Sequence, residues 1–297
     1  MCMRGLAFLA PLAWLLACSP AAQPAPAVQV EPALWRISDA DSEIWLFGTA
    51  HELPTGMNWR GTRVNTAFNA ADEIVTETDT TPTAIAEYQR LASELGTLPP
   101  GQTLFTRISA EDRERLGRIA RAANLQPEQF TQVRPWLAAL QLSIAHEATR
   151  GAARENGVET VLLADAQTQH KRLSYLETPS QQVHFLSDLS PADEAHFLSV
   201  TLQQIEAEGD HTDELNAQWA RGDTRELGQE LENEMREAGP AVYAALIANR
   251  NRAWADEIQR RLGGSGKIFI AVGAAHLTGS GSVVALLRQR GVTVDGP

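Results

Sequence analysis

Two short segments at opposite ends of the chain share one pattern, and that pattern limits what the chain can become. In IFIAVGAAH, residues 268–276, Ile268, Ile270 and Val272 alternate with Phe269 and Ala271, so both faces of the segment are apolar. That is a buried strand, and it stops at Gly273-Ala274-Ala275-His276. IWLFGTAH, residues 44–51, repeats the arrangement: an apolar strand, then Gly48-Thr49-Ala50-His51. Both spell G-x-x-H at a strand exit. Ligands of open α/β sheets sit outside the carboxyl ends of the strands, so the two histidines can meet in one crevice despite their separation.

The remaining elements fit an α/β chain. ALWRIS and EIWLFGT, joined by DADS, read as a β-hairpin. DEIVTETD, KRLSYLET, KIFIAVGA and VTVDG read as further strands. Between them, SAEDRERLGRIARAA opens with Ser109 and Asp112 as a capping box, and SPADEAHFLSVTLQQIEAE with Ser190 as cap and Pro191 at the first helical position. AVYAALIANRNRAWADEIQRRL reads as one long amphipathic helix closed by Gly263 and Gly264. Strands alternating with helices predict a central sheet with flanking helices and a helix-rich middle lobe.

The N-terminus belongs to targeting rather than to the fold. MCMRGLAFLAPLAWLLACSP has one Arg, an apolar core and then small residues, the order of a secretory signal. LLAC before Ser19 resembles a lipobox and makes residues 1–17 a lipoprotein signal with Cys18 as the lipidated terminus; cleavage after Ala22 is the other route. Residues 18–32 are then a Pro/Ala-rich tether, and residues 33–297 the folded domain. The expected location is the periplasm, by an outer-membrane anchor or, by the other route, as a soluble periplasmic or secreted protein. The only two cysteines are Cys2 and Cys18, so the domain has no disulfide framework, and any metal must be held by His and carboxylates. The formal charge is −12 and the only lysines are Lys171 and Lys267, which argues against nucleic acid as a partner. A peptide or small molecule is the expected substrate; oligomeric state is not readable.

Four strands end in residues capable of chemistry: His51, Glu77, Glu177 and His276. Glu77 shares a strand face with Val75, and a carboxylate on an apolar face is either a base of raised pKa or the partner of a cation. ANRNRAW places Asn251 on the stripe Ile247, Asn251, Trp254 and Ile258, beside Arg250. A polar group on such a stripe must find partners. Arg250 could hold a carboxylate of the protein or of a substrate, or the pair could tie helix to loop. DEAH at 193–196 is the acidic first turn of a capped helix, and GGSGK lacks the spacing of a phosphate loop. His146-Glu147 has Arg150 where a zincin needs its second His, and no G-x-S-x-G occurs. His170, His184, His196 and His211 lie in polar contexts and read as surface residues.

IWLFGTAHELPTGMNWR, AADEIVTETD, GVETVLLADAQTQHKRLSYLETPSQQ, QWARGD, LIANRNRAWADEI and IFIAVGAAHLTGSGSVVALLRQRGVTV occur in this order. Together they resemble the TraB/PrgY/GumN family, GumN-like branch, nearly end to end after the tether. That family is similar to the Tiki metalloproteases and more distantly to erythromycin esterase/ChaN-like proteins. The resemblance falls on His51, Glu77 and His276, and beyond them on Glu159, Glu177, Arg250 and Asn251. It implies a hydrolase, peptidase-like, with a divalent metal (Zn, Mn or Co) on His51, Glu77 and His276. Glu77 or Glu177 would take the proton, and Gly48, Thr49, Gly273, Glu159, Arg250 and Asn251 would line the substrate. Two alternatives stay open: a haem-, metal- or peptide-binding lipoprotein, and a metal-free esterase-type hydrolase.

Overall fold

The computed structural model describes residues 30–50, 53, 57–150, 157–207, 209 and 211–297. The signal segment, Cys18 and His51 therefore lie outside the described residues. Among the described residues five strands form a single sheet, β1 (Leu34–Ser38), β2 (Ser42–Thr49), β3 (Glu73–Thr76), β4 (Arg172–Tyr175) and β5 (Gly266–Gly273), in the order β1-β2-β5-β3-β4. β1 is antiparallel to β2, while β2, β5, β3 and β4 run parallel. A parallel strand must be covered on both faces, and the alternation of β5 meets that requirement. Phe269 and Ala271 enter one core layer with Phe47 and Phe68; Ile268, Ile270 and Val272 enter another with Trp254 and Leu287.

The first layer is covered by α1 (Thr62–Ala70), α5 (Val158–Thr168), α8 (His211–Ala220) and α9 (Thr224–Glu237). The second is covered by α11 (Asn249–Leu262) and α12 (Val283–Gln289). A third core lies within the helices α2 (Pro82–Leu95), α3 (Ala110–Ala122), α4 (Pro135–Thr149), α6 (Pro179–Ser187) and α7 (Pro191–Ala207). This is the helix-rich lobe, and Arg134 is its polar centre. Its guanidinium pairs with buried Glu194 and donates to the carbonyls of Leu95 at 2.9 Å and Ser187 at 2.8 Å, the last residues of α2 and α6. An arginine at helix C-termini bonds carbonyls that have no helical partner. Ser109 accepts from the Asp112 N–H at 3.0 Å and Ser190 from that of Asp193 at 3.2 Å, as their sequence positions predict.

Two sequence expectations change. VTVDG is not a strand: only Asp295 bridges to Arg36, because the segment touches the outer edge of β1 at one residue and then turns at Gly296, φ 130°. The long helix expected over residues 241–262 is not continuous α-helix. After α10 (Pro240–Tyr243), residues Ala244–Ala248 form a π-turn in which the Asn249 N–H bonds the Ala244 carbonyl five residues back.

Candidate functional site

Helix α11 lies antiparallel to β3 and touches it near both ends. Arg261, near its C-terminus, meets Glu73 at 2.6 Å, and Arg250, in its first turn, meets Glu77 at 2.6 Å. Eleven helical residues rise roughly 16 Å and four strand residues roughly 13 Å, so one straight helix serves both contacts. Glu73, Val75 and Glu77 share the face turned toward α11, as alternation requires. The ladder between β3 and β4 continues past both strands: the Glu177 N–H bonds the Glu77 carbonyl at 2.8 Å. Two glutamates thus leave the carboxyl edge of the sheet side by side.

Arg250 stands between them and uses all five of its N–H donors. Nε reaches Glu177 Oε1 at 2.7 Å, and Nη2 reaches Glu177 Oε2 at 2.9 Å and Glu77 Oε2 at 2.6 Å. Nη1 donates to the Leu246 carbonyl and to His276 Nε2, both at 3.1 Å. Trp254 and Phe185 pack on the guanidinium with ring centroids 4.7 and 5.2 Å away. Burial works against the charge of Arg250, but Glu77 and Glu177 outweigh it and hold its pKa above the ordinary arginine value.

The other groups are fixed with equal completeness. Glu177, 7% exposed, also accepts from Trp254 Nε1 at 2.9 Å and Gln182 Nε2 at 3.3 Å. Glu77 Oε1 accepts the Gly273 N–H at 2.8 Å. His276, 5% exposed, places Nδ1 2.6 Å from Asn251 Oδ1. The amide oxygen can only accept, so the ring carries its proton on Nδ1 and turns the Nε2 lone pair to Arg250. Asn251, 0% exposed, donates its amide to the Gly281 carbonyl at 2.8 Å. It therefore ties the helix to the loop and sets the tautomer of His276. The Trp254 ring lies 4.3 Å from that of His276.

The structure thus brings Glu77, Glu177, Arg250, Asn251 and His276 together. Thr49 and Glu159 make a separate pair on the α5 side of the same edge, hydroxyl to carboxylate. Gly48 serves packing there: an added Cβ would lie 3.2 Å from the Ala274 Cα, and its carbonyl accepts from Trp219 Nε1 at 2.8 Å. Gly273, with φ −50° and ψ 135°, has a backbone any residue could adopt; its part in the cluster is its N–H. His184, His196 and His211 bond Asp188, the Glu237 carbonyl and Glu234, away from the cluster. Phe185, Gln182 and the Gly281 carbonyl join it without any sign in the sequence; Trp254 announces itself one turn along the stripe from Asn251.

A divalent ion fits this set poorly. The single lone pair of His276 Nε2 faces a guanidinium, and an ion at the roughly 2.0–2.1 Å of a metal–imidazole bond would meet that positive charge directly. Among the described residues no group of three or more His, Cys, Asp or Glu side chains is arranged to hold a metal, and His51 is outside that set.

Comparison with known proteins fixes the lineage. The TraB/PrgY/gumN family matches residues 33–296. This chain belongs to the TraB/PrgY/gumN family. Among curated relatives, YbaP of Escherichia coli strain K12, described as an uncharacterized protein, is 27% identical over 245 residues, spanning 82% of this chain and 87% of YbaP. YbaP of Shigella flexneri gives the same figures. No solved structure matches significantly. Every residue of the Arg250 cluster falls within the segment the family matches.

Proposed function

We propose that this TraB/PrgY/gumN protein is an exported hydrolase of ester or amide substrates, related in mechanism to the erythromycin esterase/ChaN-like proteins, that activates water without a metal. The observation that carries the reading is the position of Arg250. Its guanidinium contacts Glu77, Glu177 and His276 at once and supplies the fixed positive charge that a metal would otherwise bring. Glu77 accepts from Arg250 and from the Gly273 N–H, and as a carboxylate it would take a proton from water. His51 is its partner in this reading, passing the proton that Glu77 takes from water to the departing alkoxide or amine. Arg250, Glu177 and Asn251 are positioning residues: Glu177 holds Arg250, Arg250 holds Glu77, and Asn251 orients His276.

A second reading, the metal-dependent peptidase, has one observation in its favour. β2 and β5 are adjacent and parallel with Thr49 opposite Gly273, so the two G-x-x-H segments leave the sheet side by side. His51, Glu77 and His276 would then hold Zn, Mn or Co, which would supply an acidified water, and Arg250 would have to leave His276 Nε2. Protein stripped with a chelator and assayed on p-nitrophenyl acetate and on a peptide library separates the two. The expected result is turnover that survives stripping and falls at least about a hundredfold in Glu77→Gln. Turnover that vanishes with the metal and returns with Mn, Zn or Co establishes the second reading. Metal or haem binding without turnover overturns both in favour of a binding protein. Export through a lipidated Cys18 is part of the proposal; fatty-acid labelling of the wild type that disappears in Cys18→Ala is expected, and equal labelling of both refutes it.

A further inference from the structure

QWARGD, residues 218–223, makes the turn between α8 and α9 and works as a clasp. Trp219 Nε1 donates to the Gly48 carbonyl at 2.8 Å, and the carbonyl of the next residue, Ala220, accepts the Glu31 N–H at 2.8 Å. Gly222 turns the chain at φ 69°, and an added Cβ there would lie 2.7 Å from the Glu31 carbonyl oxygen. Asp223 then caps α9 by accepting from the Glu226 N–H at 3.1 Å. From α1, Arg63 donates to the Leu34 carbonyl at 3.2 Å and reaches Glu31 at 3.5 Å, and Pro32 between these points is buried. The chain is thus fastened to the domain from Glu31 onward, and the same turn holds the exit of β2.

Strand direction decides where that fastening lies. β1 is antiparallel to β2, and its first residue, Leu34, stands opposite Phe47 near the end of β2. The N-terminal segment therefore joins the sheet at the carboxyl edge of the parallel strands, the edge that carries Glu77, Glu177 and His276. Ala33, Gly48 and Ala274 border one shallow depression there. β1 stands two strands from β5, a sideways distance of roughly 10 Å. The opposite edge, where the Gly266 N–H bonds the Asp41 carbonyl at 3.0 Å, is the length of β2 away, roughly 26 Å for its eight residues.

We infer that the carboxyl edge of the sheet is the surface this protein turns toward a lipid bilayer, with the Arg250 cluster on the membrane side. The inference rests on the lipidated Cys18 of the reading above and is independent of the hydrolysis. From Cys18 to Val30 the chain reaches at most roughly 43 Å when fully extended. With the carboxyl edge toward the bilayer, all of that length is free to span the gap. Turning the domain over would send the tether back along the depth of the sheet, roughly 26 Å and more than half of its greatest reach. Holding a chain so far extended costs conformational entropy, so the first arrangement is favoured. It offers the cluster to ester- and amide-linked molecules carried at the membrane surface.

Energy transfer to the membrane surface reads the orientation directly. Cys2 leaves with the signal and Cys18 carries the lipid, so an introduced cysteine is the single free thiol. Fluorescein is attached at Arg225→Cys, beside the clasp and 87% exposed, or at Asp41→Cys, exposed on the opposite edge. Each full-length lipoprotein is reconstituted into vesicles of phosphatidylethanolamine and phosphatidylglycerol with rhodamine on a fraction of the headgroups. The expected result is transfer at least about twofold stronger from position 225 than from position 41, since the two edges differ in height by roughly 26 Å. Arg221→Cys, also exposed on the clasp, repeats the measurement should the first label disturb the fold. Equal transfer from both edges, or stronger transfer from position 41, overturns the inference and leaves the anchor standing. Wild type that carries no lipid and does not float with the vesicles removes the anchor and the inference together.

Discussion

Arg250 and Arg261 sit at opposite ends of one helix, and each bonds a glutamate of one strand at the same distance, 2.6 Å. Their surroundings differ. Glu73, the partner of Arg261, also pairs with Arg172 at 3.4 Å and accepts from the Ser174 hydroxyl; Glu257 pairs with both Arg260 and Arg261. Three arginines share two glutamates there, and Arg172 and Arg260 are largely exposed. At the other end one arginine serves two glutamates and a histidine, roofed by Phe185 and Trp254. The first arrangement fastens helix to sheet. The second holds an excess of negative charge and a fixed imidazole at the carboxyl edge of parallel strands, where α/β proteins bind ligands. Ion pairs of the same composition and nearly equal exposure therefore take different roles according to which end of the strand they occupy and which groups surround them.

The largest difference should come from deleting each cation. Arg250→Met leaves Glu77 and Glu177 adjacent, buried and without their charge partner, an expected loss of about 3–5 kcal/mol of stability in urea denaturation. Arg261→Met leaves Glu73 with Arg172, and Glu257 with Arg260 and solvent, so a smaller loss of about 1.5–3 kcal/mol is expected, with the proposed hydrolysis within about twofold of wild type. Equal losses in the two variants would erase the distinction between latch and site.

A smaller effect sharpens the latch itself. Burial raises the Glu73 pKa, but the Ser174 hydroxyl and the guanidinia of Arg261 and Arg172 together bring it below its ordinary value near 4.5. A carboxylate depressed in the folded state contributes stability above its unfolded pKa and loses that contribution as pH falls through the folded value. The gap in Tm between wild type and Glu73→Gln should thus be constant near neutrality and close below about pH 4.5. A gap that widens on acidification would mean that Glu73 is not held as an anion.

Much of this arrangement is legible in the sequence. Alternation alone separates Ile268, Ile270 and Val272 from Phe269 and Ala271, and it puts Glu77 on the face of Val75. Asn251 is conspicuous on its stripe because a buried amide needs partners, and it has them in His276 and Gly281. The central place of Arg250 was not legible, because its partners are 173, 73 and 26 residues away and no local pattern encodes their convergence. The π-turn was hidden for the opposite reason: AALIA is ordinary helix sequence, and tertiary packing rather than composition deforms it. VTVDG misled because alternation reports a face, whereas a strand also needs a neighbour along its length, and here only Asp295 has one.

The strand order has a consequence for how the molecule is made. β5, the last strand in the sequence, lies at the centre of the sheet, between β2 and β3. Until the ribosome has released residues 266–273, the inner edges of β2 and β3 have nothing to pair with, and the second core layer lacks Ile268, Ile270 and Val272. Emergence of the chain from its N-terminus cannot assemble this sheet piece by piece. The central pairing spans nearly the whole domain, the kind of topology that folds slowly and leaves strand edges bare in the meantime. Most of the polypeptide is therefore synthesised before the fold can close around it.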